Sequence, residues 1–288
     1  MSGLPNLVRR RRGGTLILAY HNIVPDGEMP CGDLSVHLPQ RVFAVQLDLL
    51  RETHDVIPLG EAISSDWTGG RPRVVITFDD AYRGAVTVGV EELVARSLPA
   101  TIFVAPAFVG GSSFWWDALA VADSGSLNAN LRKRALEVWR GVDREVRAGA
   151  RAMGIVERPV AEHARCASES ELRQAAAFGG IAVGSHSWSH ANLARFHGDE
   201  LADELNRPLV WLRDRFHPVS AVLSYPYGLA SIATQRAASA AGYVAAVCID
   251  GGWLPRARRE PHALPRMNIP AGVSRNGFIL RTSGLLVR

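Results

Sequence analysis

The feature that most constrains this chain is an alternation. Short apolar runs of strand length recur along its 288 residues, and helical spacing separates most of them. The runs are Thr15–Tyr20, Arg73–Phe78, Ala100–Ala105, Ile181–Val183, Val219–Leu223 and Val244–Ile249, with a last short one through Leu264–Ile269. Their β-branched content suits buried strands. The helical stretches are Arg41–Thr53, with Val42, Val45, Leu49 and Leu50 on its apolar face, then Gly84–Ser97, Leu201–Phe216 and Ile232–Ala241. Strands alternating with helices predict parallel βαβ units in an α/β fold. Seven or so such strands fit a barrel or an open doubly wound sheet. The alternation lapses between about 111 and 179, where the chain is polar, Arg-rich and helical in spacing. That stretch reads as a helical insertion in a single domain covering 15–288, behind a basic tail at 1–14.

Composition narrows the class. A hydrophobic fraction of 47% with 21% charged residues is ordinary for a globular chain and excludes disordered and fibrous classes. Cys31, Cys166 and Cys248 stand far apart, which predicts free thiols and neither a disulfide framework nor a cysteine zinc site. No apolar run approaches ~18 residues, so no transmembrane helix is expected. With no signal-peptide pattern either, the expected compartment is the cytoplasm. Lys+Arg number 32 against 28 Asp+Glu, a net charge of +4, and Lys133 is the only lysine. The arginines gather at Arg9–Arg12, in the insertion and at Arg256–Arg259. No nucleic-acid-binding motif accompanies them, so no nucleic-acid partner is expected. They suggest a basic rim for an anionic glycan or a lipid-linked sugar, with peripheral membrane contact.

Chemistry-bearing residues follow the strands. Tyr20-His21 ends the first run, Asp79-Asp80 the second, and His186 with His190 the fourth. Ser224-Tyr225-Pro226-Tyr227 and Asp250 follow the next two. In parallel α/β folds the active site forms at that C-terminal edge. Adjacent carboxylates in a dry site repel unless a cation joins them, and one can then ligate while its neighbour accepts a proton. Two histidines and one carboxylate form an accepted catalytic zinc set with open positions. The HxxxH pair lacks the intervening glutamate of a metalloprotease. Phe114-Trp115-Trp116-Asp117 opens the insertion, and Trp116 offers an aromatic face either to a sugar or to the core.

Together the motifs resemble the polysaccharide deacetylase family, carbohydrate esterase family four, with its nodulation-type chitooligosaccharide deacetylase domain. Thr77-Phe78-Asp79-Asp80 looks like its TFDD motif, with Ala81 where glycine is usual. His186-Ser187-Trp188-Ser189-His190 looks like H-[ST]-x-x-H. Tyr225-Pro226-Tyr227-Gly228 looks like R-x-x-P-Y-G, with Leu223 in place of the arginine. The resemblance implies a distorted (β/α)7 TIM-like barrel and metal-dependent removal of N- or O-acetyl groups from a glycan or glycoconjugate. It implies Asp79 as general base and Asp80, His186 and His190 as ligands of a divalent metal, zinc first, with cobalt, nickel or manganese as alternatives. It implies the Tyr227 N–H as an oxyanion donor. The family's C-terminal Leu-x-His is absent. Tyr20-His21 matches a subset resembling the biofilm poly-N-acetylglucosamine deacetylases, which implies His21 as general acid and Arg266 as the partner of Asp79. Tyr225, Trp188, Asp250, Trp253 and Trp116 are the expected substrate-side residues. Two rival readings remain at this point: a glycosidase with paired carboxylates, which needs acids about 5–9.5 Å apart, and a catalytically degenerate carbohydrate-binding barrel.

Overall fold

The computed structural model describes residues 14–121, 124–254 and 260–284. The tail through Arg12 and the Arg256–Arg259 stretch lie outside them. Strand β1 (Thr15–Tyr20) is followed by two short strands, β2 (Asn22–Val24) and β3 (His37–Pro39), and by helix α1 (Gln40–Thr53). Strand β4 (Asp55–Val56) and α2 (Leu59–Ser64) lead to β5 (Arg73–Phe78). After a helix that begins with a π-turn at Ala85–Gly89 and continues as α3 (Val90–Val94) comes β6 (Ala100–Val104). Four helices separate β6 from β7 (Ile181–Ser185): α4 (Trp115–Ala118), α5 (Ala129–Glu137), α6 (Asp143–Ala152) and α7 (Glu169–Ala176). Helix α8 (Gly198–Arg215), β8 (Val219–Ser224), α9 (Ile232–Ala240), β9 (Ala245–Val247), β10 (Met267–Asn268) and α10 (Arg275–Thr282) complete the chain.

The main sheet runs β10-β1-β5-β6-β7-β8-β9, every pair parallel, with β4 added beside the start of β5. It curls back on itself. Leu264 bridges to Val247 of β9, and three residues later Met267 pairs with Leu18 of β1. One irregular segment therefore touches both sheet edges, and this makes the fold the distorted (β/α)7 barrel. The strand residues are buried on both faces, as parallel strands flanked by helices require. No helix among the described residues is long and apolar enough to cross a membrane.

Two local details differ from the sequence reading. Helix α1 buries Phe43, Gln46, Leu47 and Leu50, while Val45 is exposed. The inward stripe is rotated by about one residue because Gln46, a polar residue, points inward and accepts a hydrogen bond from the Tyr20 hydroxyl at 2.9 Å. The short strands β2, β3 and β4 carry too few residues for a period to register. At Gly84 a Cβ would run into the Ile23 carbonyl and the Asn22 side chain, so glycine there lets the π-turn helix press against β2.

Candidate active site

The ends of β1, β5, β7, β8, β9 and β10 meet at one cavity of about 190 Å³, lined among others by His21, Asp79, Asp80, His186, His190, Trp116, Tyr227 and Asn268. Each side chain arrives there because its strand delivers it. Asp79 donates its backbone N–H to Tyr20 O at 2.9 Å, and His186 donates its own to Val104 O at 2.8 Å. Past those anchors the backbone turns sharply. Asp80, Ala81, Ser187, His190 and Tyr227 all have positive φ, between 49° and 70°. Side-chain-bearing residues rarely adopt that region, and such strain gathers at functional sites.

Asp80 Oδ1 lies 3.0 Å from His190 Nε2 and 3.4 Å from His186 Nε2. The three residues each offer a ligand atom within 4.8 Å of the other two, and all three are buried. Asp80 Oδ1 has no hydrogen-bond partner, although it is enclosed. His186 Nδ1 sits 2.7 Å from the Ser224 carbonyl. A carbonyl only accepts, so Nδ1 carries the proton and the neutral ring turns its Nε2 lone pair toward Asp80. An orphaned carboxylate oxygen facing two imidazole nitrogens fits a divalent cation. Burial alone would raise the Asp80 carboxyl, but His190 and His186 outweigh it and hold it well below the usual range. Burial pushes His190 down; for His186 the two aspartates overcome burial and push it up.

Asp79 is held differently. Arg266, fully buried, places Nη1 at 2.8 Å from Asp79 Oδ1 and Nη2 at 2.7 Å from Oδ2. Its remaining donors reach Thr77 Oγ1 at 3.0 Å, Ser224 Oγ at 2.8 Å and Cys248 O at 3.1 Å. Ser224 Oγ also donates to Asp79 Oδ1 at 3.0 Å. Burial raises the Asp79 carboxyl, but Arg266, His186 and His21 together bring it down to about 2. It is a carboxylate at neutral pH. His21 is half-buried at the cavity wall after β1.

Trp116 stacks on Phe114 with ring centres 4.5 Å apart and meets the His190 ring at 4.8 Å, so this aromatic both walls the cavity and anchors the helical segment. The other substrate-side expectations require correction. Tyr225 is fully buried in an apolar cluster and donates its hydroxyl to His262 O. Trp188 faces outward under the Arg207 guanidinium, 3.7 Å from its ring centre. Asp250 is exposed, and its neighbour Ile249 lines the cavity in its place. Trp253 bridges to Leu16 near the start of β1, the end of the barrel opposite the site.

Sequence reasoning missed three contributors, Glu204, Asn268 and Tyr82, and the role of a fourth, Ser224. Glu204 of α8 accepts the N–H groups of Trp188 and Ser189 on Oε2, at 3.1 and 3.0 Å, and the Ser189 hydroxyl on Oε1 at 2.6 Å. It thereby clamps the loop between the two histidines. Ser224 orients both His186 and Asp79. Asn268 brings a buried, unpartnered Oδ1 to the cavity. Tyr82 accepts the Trp116 Nε1–H at 2.7 Å and donates to Asp117 Oδ2 at 2.6 Å. Glu204 sits on a helix that reads as scaffold. Only the position of Asn268 at the end of the last strand hinted at its place.

Among solved structures, the Streptococcus pyogenes deacetylase PplD, in complex with acetate, superposes with a TM-score of 0.64 at 16% identity, covering 93% of this chain and 97% of that one. IcaB from Ammonifex degensii gives 0.61 at 17% identity, covering 94% and 96%. The polysaccharide deacetylase BC0361 from Bacillus cereus gives 0.63 at 16%, covering 94% and 68%. At these identities the likeness speaks for the fold. No curated protein sequence matches the chain. The family model for polysaccharide deacetylase matches residues 67–246, a span that contains Asp79, Asp80, both histidines and Tyr227. The chain belongs to the polysaccharide deacetylase family, hydrolases of carbon–nitrogen bonds other than peptide bonds.

Proposed function

We propose that this protein removes acetyl groups from an acetylated sugar with the help of a divalent metal, zinc in the first instance, held by Asp80, His186 and His190. The observation that carries the reading is the orphaned Asp80 oxygen facing two histidine nitrogens, beside a second carboxylate fixed by arginine. When bound, the metal supplies a Lewis acid that polarises the acetyl carbonyl and acidifies water.

The rest of the chemistry falls to side chains. Asp79, ionised and locked by two bonds from Arg266, accepts the proton of the attacking water. The new C–O bond places negative charge on the acetyl oxygen. The Tyr227 N–H, presented by a left-handed backbone at φ 60°, is the donor for that charge. Such a donor is worth about 3–4 kcal/mol. His21 stands at the cavity wall and gives its proton to the sugar nitrogen as the C–N bond breaks. Acetate and a free amine leave; an O-acetyl substrate would yield acetate and an alcohol. The tyrosine–histidine pair at Tyr20-His21 supports His21 in that role, as does its place in the cavity wall beside the two histidines that face Asp80.

Adjacency of Asp79 and Asp80, with Asp80 turned to the histidines, speaks against a glycosidase. The test is acetate release from N-acetylated chito-oligomers, with and without chelator. Asp79→Asn should lower turnover by about 10²-fold or more while one metal per chain is retained. Full activity in Asp79→Asn, or in the chelated protein, would sink the assignment.

A further inference from the structure

We infer that the enzyme takes one acetylated sugar unit, free or at the end of a glycan, and not a unit inside a chain. This rests on the deacetylase reading and concerns which substrates that site admits. Strand ends supply the floor of the cavity. The remaining wall comes from three segments outside the strand ends: Asp33, Ser35 and Val36, between β2 and β3, Trp115 and Trp116 of α4, and Leu127, Arg132 and Leu136, around α5.

The first segment is a strap fastened on both sides. Toward the helical segment, Asp33 N–H donates to Asp117 Oδ1 at 3.0 Å and Leu34 N–H to Gly125 O at 2.8 Å. Arg132 Nη1 lies 3.8 Å from Asp33 Oδ2. Toward the other side, Ala271 N–H, just past β10, donates to Ser35 O at 3.0 Å. The strap thus runs from the β6–β7 connection to the segment after β10, across the ends of β1 and β5 that carry His21 and Asp79. Asp117 is itself buried and pinned by Tyr82 and by His37 Nε2 at 2.9 Å. A glycan approaching the site from the side of β1 and β5 would have to pass through these bonds.

Size points the same way. A volume of about 190 Å³ lies below the ~300–1,000 Å³ of pockets for drug-sized ligands. The cavity is sized for one acetamido sugar, and Arg132 and Leu136 on its rim also line a second groove. Strap residues Asp33, Ser35 and Val36 are then specificity-determining.

The experiment compares N-acetylglucosamine with its β-1,4-linked oligomers up to the pentamer, using metal-loaded enzyme. Acetate release gives kcat/KM, and tandem mass spectrometry locates the deacetylated unit. Two variants loosen the strap: Arg132→Ala removes the partner of Asp33, and Gly32→Ala drives a Cβ into the Asp117 side chain at φ +74°. Circular dichroism checks that both are folded. In the parent, only a terminal unit loses acetyl, and kcat/KM varies by less than about threefold with length. In at least one folded variant the interior share rises by about fivefold or more. Interior deacetylation by the parent at the terminal rate, or a rise of about tenfold in kcat/KM with length, overturns the inference and leaves the deacetylase reading standing. An unchanged pattern in both folded variants overturns the role of the strap. Acetate from none of these probes overturns both readings.

Discussion

Replacing Arg266 by methionine tests the arrangement of the catalytic centre through stability alone. The guanidinium and the Asp79 carboxylate have 0% and 2% of their side chains exposed, and all five Arg266 N–H groups meet an acceptor. Arg266→Met leaves a buried carboxylate with the Ser224 hydroxyl alone. Breaking one side of such a pair costs about 3–5 kcal/mol. The native environment agrees in direction: burial raises the Asp79 carboxyl, yet Arg266, with His186 and His21, brings it down to about 2, and Arg266 is the largest of those opposing influences. Urea unfolding with chelator present reads the change as a fall in midpoint of about 1 M or more for a chain of this length. The decisive arm is the double variant Arg266→Met with Asp79→Asn. It removes the stranded charge together with its partner, so it should be more stable than Arg266→Met alone by about 2 kcal/mol or more. Losses that simply add, or a single variant within about 1 kcal/mol of the parent, would refute the claim that Arg266 exists to hold a buried Asp79 anion.

Two further outcomes follow from the supports of the site. Glu204→Ala removes the three bonds its carboxylate accepts from the loop between His186 and His190, leaving only that of the Trp188 N–H to the Glu204 backbone carbonyl, so metal affinity measured by chelator competition should weaken by about 10–100-fold, with Glu204→Gln retaining more; an unchanged Kd would show the loop holds its shape without the carboxylate. Tyr82→Phe removes the acceptor of the Trp116 N–H and the donor to Asp117 Oδ2, which should cost about 1–3 kcal/mol in urea unfolding and shift tryptophan emission; an unaltered midpoint and spectrum would deny that the hydroxyl links the two.

The fold was legible because its strands are buried on both faces. Runs such as Arg73–Phe78 and Ala100–Val104 are continuous and apolar, and the boundaries of both lie within a residue of the sequence reading. The orientation of α1 was not legible, because Gln46 faces inward to meet Tyr20 and hydropathy alone places it outside. The same limit governs the site. Tyr225, Trp188 and Trp253 carry the aromatic faces expected of sugar contacts, yet aromatic type does not say which way a ring points. Tyr225 and Trp253 went to packing and Trp188 to an outward stack on Arg207.

The motif residues were legible for a further reason, which lies in the backbone. Of the seven non-glycine residues with positive φ among the described residues, five fall in the three motifs. A strained turn persists only where its surroundings over-determine it, so the chain must spend residues nearby on enforcing it. Glu204 does so for Ser187 and His190. For Asp80 and Ala81 the Ala167 N–H, which donates to Ala81 O at 2.9 Å, does the same. These enforcers come from distant positions, Glu204 from a helix and Ala167 from irregular backbone, and carry no local signature. A motif therefore records where strain is held and what it presents, while the parts that hold it emerge only once the chain is folded.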